Sequence, residues 1–110
     1  MISYDQFCSL TEKLGFSVYT YLPEDVFKPY KDGWEYSVND IAELTGKSPV
    51  TVRKWFTTGK IKACRTNPWA ALGKDVKNKL YIDHYPYVKD KIKVLESLDQ
   101  KRIQQILNME

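Results

Sequence analysis

The sequence predicts a mainly α-helical chain with a small β-hairpin. Two observations carry that reading. Apolar residues recur at three- and four-residue spacing beneath cap signals at Ser3, Ser37 and Ser48. Strand-like alternation is confined to two short stretches, "KIKACR" at 60–65 and "KLYID" at 79–83. A chain of 110 residues is long enough to bury one core, so a single domain is expected.

Ser3 followed by Gln6 forms a capping-box pattern, and Phe7, Leu10 and Leu14 continue at helical spacing up to Gly15. A first helix is therefore expected near 4–14. The stretch "FSVYTYLPEDVFKPYKDGWEY" is aromatic, holds two prolines and alternates only in part. It reads equally as a short strand, a helical turn after Pro23, or a packed loop.

From Tyr36 the signals sharpen. Ser37 can cap a helix whose Val38, Ile41 and Ala42 share a face, and Gly46 ends it. Ser48 then caps a second helix that begins with Pro49, whose missing amide hydrogen is no loss at that position. Two short helices across a very tight turn result. On the second helix successive residues lie about 100° apart, which gathers Val52, Trp55 and Phe56 on one side and Val50, Arg53, Lys54 and Thr57 on the other. The first set is expected to face the core and the second to face solvent.

Gly59 ends that helix, after which Ile61 and Ala63 are expected inward on a strand, with Lys60, Lys62 and Cys64 on its other face. Residues 79–83 are expected to return antiparallel. The long connection between them holds "NPWAALG", which reads as a helical turn capped by Asn67, started by Pro68 and closed by Gly73. Toward the C-terminus, Val88, Ile92 and Leu95 form one stripe, and Ile103, Ile106 and Leu107 a second beyond a break near Ser97. Two short helices are expected there.

Charge is strongly segregated. Residues 1–46 hold three bases against eight acids, a net of −5. Residues 47–82 hold nine bases and only Asp75, a net of +8, while residues 83–110 balance. A concentrated basic segment is the electrostatic footprint of a nucleic-acid surface, although a basic run can also be a merely solvated face. No apolar run nears the roughly 20 residues of a membrane span, so no membrane partner is expected. "MISYDQFCSL" lacks the basic start and apolar stretch of a secretion signal, which points to the cytoplasm. Cys8 and Cys64 with the lone His84 offer neither a disulfide scaffold nor zinc-ligand spacing. Neither a metal nor any other cofactor is expected. The acids are dispersed, and neither a nucleophile–base motif nor a glycine-rich phosphate loop is present, so no catalytic residues are assigned and the chain is not expected to be an enzyme.

The segment "YSVNDIAELTGKSPVTVRKWFTTGKIKACR" resembles the winged helix-turn-helix of phage and transposon excisionases and of the mercury-resistance-regulator (MerR) superfamily. Ala42, Gly46 and Val52 stand where that signature has a small residue, a turn glycine and an aliphatic. The resemblance spans roughly 36–83, placing an N-terminal helix and aromatic extension at 1–35 and C-terminal helices at 84–110, all packed as one domain. Three departures stand out: the acidic, aromatic extension, an insertion in the wing loop, and two short stripes where the sensor proteins have a long dimerising helix.

The resemblance implies a sequence-specific binder of double-stranded DNA, either an excisionase-like directionality factor in recombination or a small transcriptional regulator of a phage or mobile element. The helix at 49–57 would enter the major groove while the wing follows the backbone. Arg53 and Lys54 are the leading contacts, since either can donate to guanine N7 and O6. Val50 can meet a thymine methyl, Thr51 and Thr57 are secondary candidates, and Ser48 can reach phosphate if capping leaves it free. Lys60, Lys62, Arg65, Lys74, Lys77 and Lys79 would neutralise phosphates.

Trp69 has two readings, a pin that folds the long loop back or a contact with DNA, a neighbouring copy or a recombinase. Trp34 with Tyr19, Tyr21, Tyr30 and Tyr36 is expected to cement the N-terminal extension, with a protein-binding surface as the lesser reading. The rival function is a winged-helix protein-interaction module serving a replication or recombination complex.

Overall fold

A computed structural model describes residues 1–108. The chain is mainly α-helical, with a small three-stranded antiparallel sheet and a long C-terminal helix. In order, its elements are α1 (Tyr4–Lys13), a 3₁₀ turn (Val18–Thr20), α2 (Glu24–Phe27), β1 (Glu35–Ser37), α3 (Val38–Thr45), α4 (Pro49–Thr57), β2 (Arg65–Thr66), β3 (Trp69–Leu72) and α5 (Gly73–Asn108). Two compact units form: Glu24–Ile82, and Met1–Pro23 together with the chain from Asp83 onward. Among the described residues no helix is long and apolar enough to cross a membrane.

In the discontinuous unit, α1 starts as its sequence implies. The Ser3 hydroxyl accepts from the Gln6 amide at 3.1 Å, and the Gln6 side chain accepts from the Ser3 amide at 2.8 Å. Phe7, Leu10 and Leu22 are buried in this unit, as are Val88, Ile92 and Leu95 of α5. Beyond that stripe, Arg102 of α5 donates to the Lys13 carbonyl at 2.6 Å, supplying a partner for a carbonyl at the C-terminal end of α1. Ile103, Ile106 and Leu107 are exposed.

The continuous unit is built on the sheet, ordered β1–β3–β2. Glu35 pairs with Leu72, Tyr36 with Ala71 and Ser37 with Ala70, while Arg65 pairs with Ala70 and Thr66 with Trp69. The aromatic segment before β1 resolves into the helical turn after Pro23 and a compact loop. There Tyr36 accepts from the Lys31 amide at 2.8 Å and its ring meets Tyr30 edge-on at 5.1 Å. Tyr30 and Tyr36 are buried, whereas Trp34, expected to cement the extension, is 59% exposed with the Lys31 ammonium 4.1 Å from its ring. The Tyr30 hydroxyl is buried without a hydrogen-bond partner among the described residues, and burial, reinforced by Tyr36, raises its pKa to about 12.

Three expectations need correcting. The strand expected over 60–65 is reduced to Arg65–Thr66, and the return strand is Trp69–Leu72 rather than 79–83, which lies inside α5. Asn67–Pro68, read as a helix start, is the two-residue turn of the hairpin, with a cis peptide bond between its residues. Pairing with β1 decides the matter, since it holds the small side chains of Ala70 and Ala71 buried on the central strand. Finally, the two short C-terminal helices are one, continuous through Pro86 and Ser97. A capping pattern at Ser97 and Gln100 marks a possible start, but the backbone hydrogen bonds upstream of it persist.

Gly73, at the β3–α5 junction, permits a close backbone approach. A Cβ there would overlap the Lys31 carbonyl oxygen and lie 2.6 Å from its carbon. The Gly73 amide donates to the Trp34 carbonyl at 2.9 Å and that of Lys74 to the Asp32 carbonyl at 3.3 Å, tying the first turn of α5 to the 31–34 loop.

Candidate nucleic-acid interface

Local chemistry fixes the two helices that frame the site. The Ser37 hydroxyl accepts from the Asp40 amide at 3.1 Å while Asp40 accepts from the Ser37 amide at 3.0 Å, so α3 starts on a reciprocal capping box. Gly46 ends the helix at φ +74, a backbone shape a side chain resists, and its amide donates to the Ala42 carbonyl at 2.9 Å. Two residues later Ser48 accepts from the Thr51 amide at 3.2 Å and opens α4, with Pro49 in its first turn.

On α4 the two faces separate as the sequence implies. Val52, Trp55 and Phe56 are buried, whereas Val50, Arg53, Lys54 and Thr57 are all exposed. The buried side is locked twice. Trp69 stacks on Phe56 with ring centres 5.5 Å apart, and the Lys79 ammonium lies 4.0 Å from the Trp55 ring centre. The half-buried Trp69 thereby fixes the hairpin to α4, which favours its pinning role.

The remaining candidates divide by what already holds them. Ser48 and Thr51 share a hydrogen bond of 2.9 Å between their hydroxyls, and the Thr57 hydroxyl donates to the Lys54 carbonyl at 3.2 Å, so these groups serve the helix itself. Lys60, Lys62 and Lys74 are exposed. Arg65 is exposed too, but reaches both Glu35 carboxylate oxygens at 3.2 Å. Lys77 is mostly buried against Asp32, with only 13% of its side chain accessible. Lys79, expected to face phosphate, is 6% exposed. The last two departures share a cause: with residue 77 expected in the wing connection and 79 on its return strand, both instead lie on α5, where Lys77 meets Asp32 of the 31–34 loop and Lys79 lies over Trp55.

Position in the fold also brings forward polar groups that sequence signals passed over. Asn39, Arg53 and Asn67 line one groove of about 340 Å³, along with Thr66, Pro68 and Trp69. Arg53 follows from helical periodicity, whereas Asn39 carries neither charge nor motif, and the capping signature at Asn67 points to a helix instead. Only the hairpin places Asn67 beside α4. A second groove, of about 370 Å³, lies on another part of the unit and is lined by Trp34, Glu35, Tyr36, Asp40, Glu43 and Leu44. It is acidic where the first is not. Among the described residues, no group of three or more His, Cys, Asp or Glu side chains is placed to hold a metal ion.

No family model, curated protein or solved structure matches the chain.

Proposed function

We propose that the protein binds double-stranded DNA through a winged helix-turn-helix, with α3 and α4 as the paired helices, α4 as the reading helix and the β2–β3 hairpin as the wing. The observation that carries this reading is the solvent face of α4, where Val50, Arg53, Lys54 and Thr57 stand exposed opposite a buried Val52, Trp55 and Phe56. A convex helix face with two cations flanked by small groups suits the width and hydrogen-bond pattern of the major groove. Lys47 and Lys60 flank α4 in the chain, and with Lys62 and Lys74 they add to the same unit exposed charge that has no ionic partner among the described residues. Such cations favour a polyanion by releasing its condensed counterions. The work is binding rather than catalysis, in the manner of an excisionase-like directionality factor or a small regulator of a mobile element.

Selection of bound sequences from random duplex DNA, followed by titration at fixed salt, tests the reading. Arg53→Ala combined with Lys54→Ala should weaken binding at least about tenfold without lowering the melting temperature, because both side chains are exposed. Unchanged affinity and sequence preference would remove α4 as the reading helix.

A second reading is favoured by the other groove. Exposed Trp34 and Leu44 among Glu35, Asp40 and Glu43 are the components of a protein-docking surface, as an interaction module in a replication or recombination complex would need. Failure to bind any duplex at low salt, with tight capture of a defined protein partner lost on Trp34→Ala, would select it.

A further inference from the structure

We propose that the groove between the start of α3, the middle of α4 and the β2–β3 turn holds one backbone phosphate of the bound duplex, with Arg53 as its ionic contact and Asn39 and Asn67 as its neutral donors. This rests on the DNA-binding reading and reassigns one residue within it. Arg53 grips the backbone, and base reading falls to Lys54 and Val50.

Five polar residues line this groove, Ser37, Asn39, Arg53, Thr66 and Asn67. The Ser37 hydroxyl is used in the cap of α3, whereas the side chains of Asn39, Arg53 and Asn67, from three separate parts of the fold, have no hydrogen-bond or ionic partner among the described residues. No carboxylate residue lines it, and Arg53 is the one charged residue of its lining. Donors without a competing acid define a site for an anion. Asp40, the acid nearest in sequence to Asn39, is held in the cap of α3 and lines the other groove instead.

Shape separates phosphate from base. The edge of a base lies at the floor of a groove and is met by a convex surface, while the sugar–phosphate backbone is a ridge and is met by a concave one. Arg53 lines the concave space, whereas Lys54 is exposed on the same helix and does not line it. The hairpin side of the groove is also preset. Trp69, two residues from Asn67, is stacked on Phe56, so the turn does not have to be ordered when the ligand arrives.

The test uses the best duplex from the selection, prepared as two sets. In one, single phosphates are replaced in turn by neutral methylphosphonates; in the other, single guanines are replaced by 7-deazaguanine. Wild type, Arg53→Ala and the double variant Asn39→Ala with Asn67→Ala are titrated against both, with melting temperatures checking that each variant folds. One methylphosphonate should weaken wild-type binding about tenfold and abolish any further loss from Arg53→Ala. Arg53→Ala should lower the salt slope by about one and leave base preference intact, and the asparagine variant should lose affinity at that same phosphate with the slope unchanged. If the Arg53→Ala loss instead disappears on a 7-deazaguanine duplex, or preference relaxes at one base pair, the phosphate assignment is overturned while DNA binding stands. Wild type that binds no duplex at low salt overturns the DNA-binding reading and this assignment together.

Discussion

Helix α4 and the first turns of α5 draw on the same basic stretch of sequence and dispose of it in opposite ways. On α4 the cations Arg53 and Lys54 stand free on the solvent face, and the helix is anchored by apolar residues on its reverse. In the first turns of α5 only Lys74 among the cations stays exposed, and the next two are themselves the anchors: Lys77 is paired with Asp32, and Lys79 lies over Trp55. Net charge therefore overstates the interface. Two of the nine bases between residues 47 and 82 are used inside the fold, and Arg65 is offset by Glu35. A lysine with a long apolar stem can cover an aromatic ring and cease to be available to a polyanion.

The sharpest way to break the contrast is to dislodge α5 while leaving α4 untouched. Gly73→Ala sets a methyl group against the backbone of Lys31, a contact that no side-chain rotation can relieve. It should cost about 3 kcal/mol, read by denaturant unfolding. The face of α4 contains none of the atoms displaced, and Lys74 is the one interface cation carried by that turn. At a temperature where the variant remains folded its DNA affinity should therefore fall by no more than about tenfold, the loss of a single phosphate contact. A Gly73→Ala protein as stable as wild type would show that the first turn of α5 is not held by the 31–34 loop.

Lys79→Ala is a gentler version of the same comparison, paired with Lys54→Ala on the other helix. Removing Lys79 strips the cation and its stem from Trp55 and should cost about 1–2 kcal/mol of stability, with the salt dependence of DNA binding unchanged. Removing Lys54 should do the reverse, leaving stability within about 0.5 kcal/mol while weakening DNA binding about tenfold and relaxing preference at one base pair. If Lys79→Ala lowers the salt slope, Lys79 is reaching DNA and the division between the helices fails.

What the sequence made legible follows from how far each signal reaches. The unit α3–Gly46–α4 was legible because its determinants are adjacent: Ser37 and Asp40, Gly46, Ser48 and Pro49 each act within one turn, and the partition of α4 follows from helical geometry alone. The hairpin was not, because Asn67–Pro68 followed by Gly73 is locally as good a helix signature as a turn. The choice is made by Tyr36 and Ser37 pairing from far upstream with Ala71 and Ala70. Misplacing the return strand onto residues 79–83 carried Lys77 and Lys79 to the wrong surface. The groove formed by Asn39, Arg53 and Asn67 was out of reach for the same reason, since it exists only once the hairpin stands beside α4.

The smallest effect concerns the loop that ties α5 down. The Tyr30 hydroxyl is buried beside Tyr36 with no hydrogen-bond partner among the described residues, so Tyr30→Phe removes an unsatisfied group while keeping the ring contact. At neutral pH it should be neutral, or stabilising by up to about 1 kcal/mol. Alkali should widen the difference. An unfolded tyrosine loses its proton near pH 10, whereas burial, with Tyr36 adding to it, holds the folded Tyr30 protonated up to about 12. Between those values the folded state binds more protons than the unfolded one, so wild-type stability falls as pH rises. Tyr30→Phe lacks this contribution, and its advantage in urea unfolding should grow from pH 10 toward pH 12. A constant difference across that range would mean that the hydroxyl is solvated, and that the 31–34 loop is held less tightly against α5 than its hydrogen bonds to Gly73 and Lys74 imply.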